Sequence, residues 1–206
     1  MKINSTSLYS AANTLTLIQT IAAISGSLTS SLISLWDNGS TCSLITKSAA
    51  QRLNLIGEPV CISIETAIGT TVIDSFLYRL PLVDTLGNIH HVNVYAVENI
   101  SNILRSVDIS KVKNIFSQEV QDKWRLLERA TGEIELLLGL NVFALHPREL
   151  ECSGNLKVMS SQFGSGYLLG GCHADIVSDS IEWSETVSNI RLAKHTVNKI
   201  SVQPAY

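Results

Sequence analysis

Leu35-Trp36-Asp37-Asn38-Gly39-Ser40 is the stretch on which the reading of this chain turns. An apolar run ends on a carboxylate, and an amide, a glycine and a hydroxyl residue follow. Such an order presents Asp37 at the mouth of a core. Gly39 lets the chain turn sharply and lets a second backbone come close. Ser40 and nearby backbone N–H groups can hydrogen-bond the carboxylate and hold its plane. The same residues are also a common turn sequence, because Asp and Asn bond their own backbone and Gly tolerates a positive φ. The surroundings must decide between an ordinary turn and a reactive loop.

Upstream, Leu15, Leu17, Ile21 and Ile24 stand among threonines, Ser25-Gly26-Ser27 reads as a turn, and residues 29–36 form a second apolar run. That predicts a β-hairpin feeding into Asp37. Downstream, Thr46 is placed to cap a helix over residues 47–53, with Ala49, Ala50 and Leu53 on one side. Residues 60–66 alternate, Ala67-Ile68-Gly69-Thr70 reads as a hairpin tip, and residues 71–82 return. A turn at 84–88 leads into another alternating run at 89–97. The rhythm then changes. Val107, Val112, Ile115, Phe116, Val120, Trp124 and Leu127 recur at mostly three- and four-residue steps, which predicts one or two amphipathic helices ended by Gly132. Residues 133–140 are a dense apolar run of the kind a buried strand shows, and 141–145 could start a short helix stopped by Pro147. Further on come a strand candidate at 156–161, a glycine-rich stretch at 164–171, and a spacing that permits a helix over 179–200. The expected class is mostly β with a helical insertion. The expected organisation is a leader (1–13), a folded unit (14–174) with its insertion at about 106–130, and a linker or helix (175–206) toward a further domain.

Composition narrows the function. Of 206 residues only 16% are charged, against a usual ~25%, and 45% are apolar. Mean hydropathy is +0.22. This is a folding chain, able to bury a core without disulfides or metals, and with apolar surface left for a partner to cover. Fifteen basic and eighteen acidic residues give a formal charge of −3, which offers no footprint for nucleic acid. The apolar stretch at 15–24 is broken by Thr16, Gln19 and Thr20 and falls well short of the ~20 residues of a membrane span. Polar residues 4–7 do not suit a signal peptide. Cys42, Cys61, Cys152 and Cys172 have no paired spacing, so they are expected as buried thiols in a reducing compartment, the cytoplasm.

The order of these segments resembles a retropepsin, the single-lobed aspartic peptidase of retroviruses and retrotransposons. The details are most similar to the peptidase of Bel–Pao type retrotransposons. The residues that carry the likeness are Trp36-Asp37-Asn38-Gly39-Ser40-Thr41, Leu44-Ile45-Thr46, Ile134-Glu135-Leu136-Leu137-Leu138-Gly139, His146-Pro147, Gln162-Phe163-Gly164 and Gly170-Gly171-Cys172-His173. They span most of the chain, from about Thr14 to His173. The resemblance implies a closed β barrel with a helical insertion. It implies Asp37 as the catalytic residue in a loop with Asn38, Gly39 and Ser40, and a flap of Ala67, Ile68, Gly69 and Thr70. It also implies that Leu137, Leu138 and Gly139 cross behind the catalytic loop. One position departs from the pattern. Retropepsins carry Thr or Ser where this chain has Asn38, and that hydroxyl bonds across a dimer. Asn offers both a donor and an acceptor for the same purpose.

Peptide hydrolysis of this kind needs two carboxylates, and no second Asp-x-Gly-Ser/Thr occurs, since Asp84-Thr85-Leu86-Gly87 has the wrong spacing. The expected active form is a two-fold homodimer that shares one proton between two copies of Asp37 and works best at mildly acidic pH. Its substrate would be the element's own polyprotein, in the cytoplasm or in a virus-like particle, with no cofactor, metal, nucleic acid or membrane involved. Two other readings stay open: a retropepsin-like peptide-binding or dimerisation module without catalysis, and a zymogen-like state blocked by the insertion or the leader. His90 and His91 point to opposite faces of a strand, and Cys152, Cys172 and His173 lack a fourth zinc ligand at a familiar spacing. Ser40, Cys42 and Ser43 lack the sequence of a nucleophile elbow. Residues 164–171 are not followed by the Lys-Ser/Thr of a phosphate loop.

Overall fold

The computed structural model describes residues 14–66, 69–101, 104, 106–176 and 199–203, and the chain is mostly β. Strand β1 (Thr14–Leu15) is followed by the hairpin β2 (Ile18–Ser25) and β3 (Leu28–Trp36). Ser25 pairs with Leu28, so the hairpin loop is the two residues Gly26 and Ser27, with Gly26 at φ +58°. Alternation does the rest. Ile21 and Ala23 of β2 and Leu32 of β3 turn inward and are buried.

Beyond the Asp37 loop come β4 (Ser43–Thr46) and α1 (Lys47–Arg52), capped where Ala49 N–H donates to Thr46 Oγ1 at 3.3 Å. Strands β5 (Glu58–Thr66) and β6 (Gly69–Val83) form a long hairpin with Thr66 opposite Gly69. The expected flap residues Gly69 and Thr70 therefore open β6, while Ala67 and Ile68 lie outside the described residues. At 15 residues, β6 outruns β5. Its far half pairs with β7 (Ile89–Val97), and Leu82 and Val83 also pair with β2. Between β3 and β4 lies β8 (Leu136–Leu138), parallel to β3 and antiparallel to β4, with β4 in turn parallel to β7. The pairings thus run as a ring, β6-β2-β3-β8-β4-β7 and back to β6. Inside it Ile21, Leu32, Ile45, Leu80, Val92 and Leu136 form one core.

A second sheet has the order β1-β11-β10-β9, where β9 is Arg148–Ser153, β10 Leu156–Ser160 and β11 Tyr167–Cys172. The 106–129 segment covers it. Val112, Phe116, Val120, Trp124 and Leu127 bury themselves against Leu15, Leu156, Val158 and Leu169. The buried face agrees with the spacing in the sequence, but the expected one or two regular helices do not form. The segment is a 3-10 stretch (Ser110–Ile115), the five-residue α2 (Gln118–Asp122) and another 3-10 turn (Trp124–Leu127). Ser117 caps α2, its side-chain oxygen accepting from Val120 N–H at 3.5 Å, and so separates α2 from the 3-10 stretch before it.

Other expectations also need correction. The run at 133–140 is strand only over Leu136–Leu138, because the chain turns away at Gly139. The stretch read as glycine-rich at 164–171 contains β11, and β4 and β9 carried no expectation. Cys42 is buried as expected, but Cys152 is exposed and Cys61 and Cys172 are half-buried, all as free thiols. The helix expected over 179–200 lies outside the described residues except at its end, where Lys199 and Ile200 belong to β12 (Lys199–Gln203), paired antiparallel to β5. No described helix is long and apolar enough to cross a membrane.

The turn between β6 and β7 is held by Asp84. Its Oδ1 accepts from the N–H groups of Leu86 (2.9 Å) and Asn88 (2.8 Å), and its Oδ2 accepts from Asn88 Nδ2 (2.9 Å) and meets His90 Nε2 (3.0 Å). The His90 and Asn88 side chains, then the backbone donors, hold this carboxyl well below its ordinary value of 3.8. A depressed folded-state pKa gives stability that is present above the unfolded value and lost as pH falls through the folded one. We therefore expect Asp84→Asn to lower the melting temperature at pH 7. The gap from wild type should narrow steadily as the pH falls below the ordinary carboxyl value. Thermal melts across that range check it; a gap independent of pH would contradict the assignment.

Candidate active site

Asp37 follows the last residue of β3, and the loop from Asp37 to Cys42 leads back into β4. Main-chain bonds fix it from below. Asp37 N–H donates to the Leu138 carbonyl at 3.0 Å, and Leu140 N–H donates to the Ser40 carbonyl at 2.8 Å. Strand β8 lies between β3 and β4, with Leu137 and Leu138 in the ladder at the base of the loop. Gly139 ends the crossing where no side chain fits. A Cβ there would stand 2.2 Å from the Cys42 carbonyl oxygen and 2.8 Å from that of Ser40.

Within the loop, Asp37 is half-buried, Asn38 and Gly39 are exposed and Ser40 is buried. Gly39 N–H donates to Asp37 Oδ1 at 2.8 Å, which orients the carboxylate. Ser40 does not hold it, contrary to one expectation. Its hydroxyl donates to the Cys42 carbonyl at 2.8 Å, because Ser40 has already passed beneath the loop to where β8 crosses. Ser43 ties the other limb down: its hydroxyl donates to Asn141 Oδ1 (2.8 Å) and accepts from Gly139 N–H (3.1 Å). Burial pushes the Cys42 thiol up to about 12, a rise that the Ser40 hydroxyl only partly opposes. A thiol so raised stays protonated and is a poor nucleophile. The Ser40 and Ser43 hydroxyls are engaged by carbonyl, amide and backbone groups rather than by an imidazole, so neither meets the requirement for a serine nucleophile.

Three side chains that the sequence did not single out hold the site. Gln19 is buried in β2, where its amide oxygen accepts from Trp36 Nε1 (3.3 Å) and Ser161 Oγ (3.0 Å) and its nitrogen donates to the Phe163 carbonyl. This pins Trp36, next to Asp37, and seats Phe163 against the Trp36 ring at 6.0 Å. Asn141 reaches from the turn after β8 to the Asn93 carbonyl at 3.2 Å. His146 places Nδ1 2.7 Å from Asn38 Oδ1 and Nε2 2.9 Å from the Gly139 carbonyl. In the sequence Gln19 looked like an interruption of an apolar run, and His146-Pro147 appeared only within the resemblance. A polar residue at an inward strand position was the one available signal for Gln19.

Beside the loop, Ile64 and Ile73 of the long hairpin pack with Leu35, Leu44 and Leu137. The hairpin thus shares an apolar cluster with the strands that carry Asp37. The other carboxylate with a glycine nearby, Asp84, is used up inside its own turn. Among the described residues, one concavity of about 230 Å³ is lined by residues including Gln19, Glu128 and Tyr167, and another by residues including Ile24, Arg79 and His91; neither is lined by Asp37. No family profile, curated protein or solved structure matches this chain.

Gly139→Ala should destabilise the chain by about 3 kcal/mol, since the added methyl meets the Cys42 and Ser40 carbonyl oxygens, which are held by the Ser40 hydroxyl and the Leu140 N–H. Gly87→Ala, where a Cβ meets nothing within 4 Å, should cost only its φ strain. Urea melts of the two variants check this; equal losses would contradict the close approach.

Proposed function

We propose that this chain is one half of an aspartic endopeptidase of retropepsin type, similar to those of Bel–Pao retrotransposons, and that two copies form the working enzyme. The observation that supports it is the crossing of β8 between β3 and β4 beneath the Asp37 loop, closed by a glycine that only close backbone contact requires. The strand ring is then read as the closed barrel of such a lobe, and the β5–β6 hairpin as its flap. Phe143, 67% exposed and with its ring 5.7 Å from the His146 imidazole, leaves apolar surface beside the loop for a second copy to cover.

In the dimer the two Asp37 carboxyls face each other. Like charges about 3 Å apart cannot both ionise readily, so the pair holds one proton. The ionised member takes a proton from water, and the resulting hydroxide adds to the scissile carbonyl carbon. The protonated member donates to the carbonyl oxygen, giving a gem-diol. Proton return to the amine nitrogen then breaks the C–N bond. Gly39 N–H, bonded to Oδ1, keeps each carboxylate in plane as its proton comes and goes. The substrate is an extended polypeptide, held by backbone bonds beneath the hairpins, and the element's own polyprotein is the candidate, in the cytoplasm or a virus-like particle.

A peptide library incubated with the purified chain tests this. Cleavage should be sensitive to pepstatin, lost in Asp37→Asn by a factor of about 10³ or more, and bell-shaped in pH with its maximum on the acid side. Activity that climbs steadily into alkaline pH, or that survives Asp37→Asn, would overturn the proposal.

A further inference from the structure

We propose that His146 is a positioning residue of the Asp37 loop, holding Asn38 within its own chain instead of leaving it to bond across to a second copy. The catalytic consequence rests on the peptidase reading above; the contact itself rests on geometry. The Gly139 carbonyl can only accept, so at 2.9 Å His146 Nε2 must carry a proton and donate. That leaves Nδ1, 2.7 Å from the Asn38 side chain. With a neutral ring Nδ1 accepts, and the Asn38 amide turns its NH₂ toward it. With a charged ring Nδ1 donates, and the amide presents its oxygen. Asn satisfies either state by turning over, because its two ends have nearly the same shape. A Ser or Thr hydroxyl sits one covalent bond nearer the backbone and would fall short of the ring.

The ring is itself held. The Trp36 edge contact is 5.1 Å between centroids at 68°, and Phe143 lies on another side. Pro147 follows, which restricts His146 to the extended backbone it adopts at φ −61° and ψ 146°. One imidazole thus joins the residue after the carboxylate to the carbonyl that ends the crossing strand. The loop is ordered before any pairing of copies, and dimer stability must come from other surfaces.

The test uses His146→Phe, which keeps a ring against Trp36 and Phe143 but removes both nitrogens. His146→Gln restores an amide able to bridge the two partners, and Asn38→Ala and the double variant complete the set. Amide hydrogen exchange at Gly39 and Ser40, the dimer dissociation constant, and kcat and KM on a cleaved peptide are measured for each. His146→Phe should speed exchange at both amides and lower kcat, each about tenfold, the effect of one hydrogen bond, with KM and dimer affinity unchanged. His146→Gln should recover part of the loss, and the double variant should be no worse than the worse single one. Exchange at wild-type rates in His146→Phe would overturn the proposal. So would an Asn38→Ala variant that dissociates the dimer while His146→Phe does not, since Asn38 would then reach the other copy. Wild-type chain that cleaves nothing would bring down the peptidase reading alone, and the exchange rates would still decide whether His146 orders the loop.

Discussion

The architecture around Asp37 depends on one close approach, that of the Gly139 backbone to the carbonyl oxygens of Ser40 and Cys42. Only a residue without a Cβ lets the crossing strand end at that depth. Because it does, Asp37 N–H can reach the Leu138 carbonyl, and Leu140 N–H can reach that of Ser40. The loop is therefore located by main-chain bonds on both limbs. On that base the carboxylate is oriented by the Gly39 N–H, and the loop that carries it is tied to His146 through Asn38.

Behind that base the protein buries a polar side chain and surrounds it with partners. Gln19 is 4% exposed, yet its amide has three partners, from Trp36, Ser161 and the Phe163 backbone. An unpaired amide there would cost several kcal/mol, so the partners must arrive together. Phe163 then fills the space between the Trp36 ring and the His90 ring, 5.4 Å away, and His90 is bound in turn to Asp84. The network runs from the turn after β6, through the loop at 161–164, to the residue beside Asp37. It links the second sheet to the ring by chemistry rather than by area alone.

How much of this was legible in the sequence depended on whether a local pattern had a local cause. The hairpin into Asp37, the alternation of β5 to β7 and the cap at Thr46 could all be read, because period and turn chemistry lie within a few residues. The Leu-Leu-Gly run could be read as buried from its density of apolar residues, but not its pairing with both β3 and β4. Strand β4 is only four residues long and fully buried, so it shows no alternation. Strand β9 is mostly exposed at an edge, and β11 is diluted by Gly170 and Gly171. Residues 106–129 kept a helical spacing of apolar side chains, yet fold as short turns, because docking on the second sheet asks only that those side chains share a side. Partnerships such as Gln19 with Ser161 or Asn38 with His146 span more than a hundred residues, and no local rule reports them.

The two cores also divide the labour. The 106–129 segment packs on the second sheet through Phe116, Val120 and Trp124, and none of these belongs to the clusters that hold the Asp37 loop or the long hairpin. Its links toward the loop run through hydrogen bonds instead, among them Arg129 to Thr16 Oγ1 at 3.1 Å and Ser165 Oγ to the Leu126 carbonyl at 2.7 Å. By contrast, the loop, the crossing strand and the hairpin share apolar contacts directly, through Leu35, Leu137, Ile64 and Ile73. A displacement of the hairpin would therefore act on the same cluster that Leu35 packs against, two residues before the carboxylate. The insertion is thus tied to the loop by separate hydrogen bonds, whereas the hairpin shares an apolar cluster with the strands that carry Asp37.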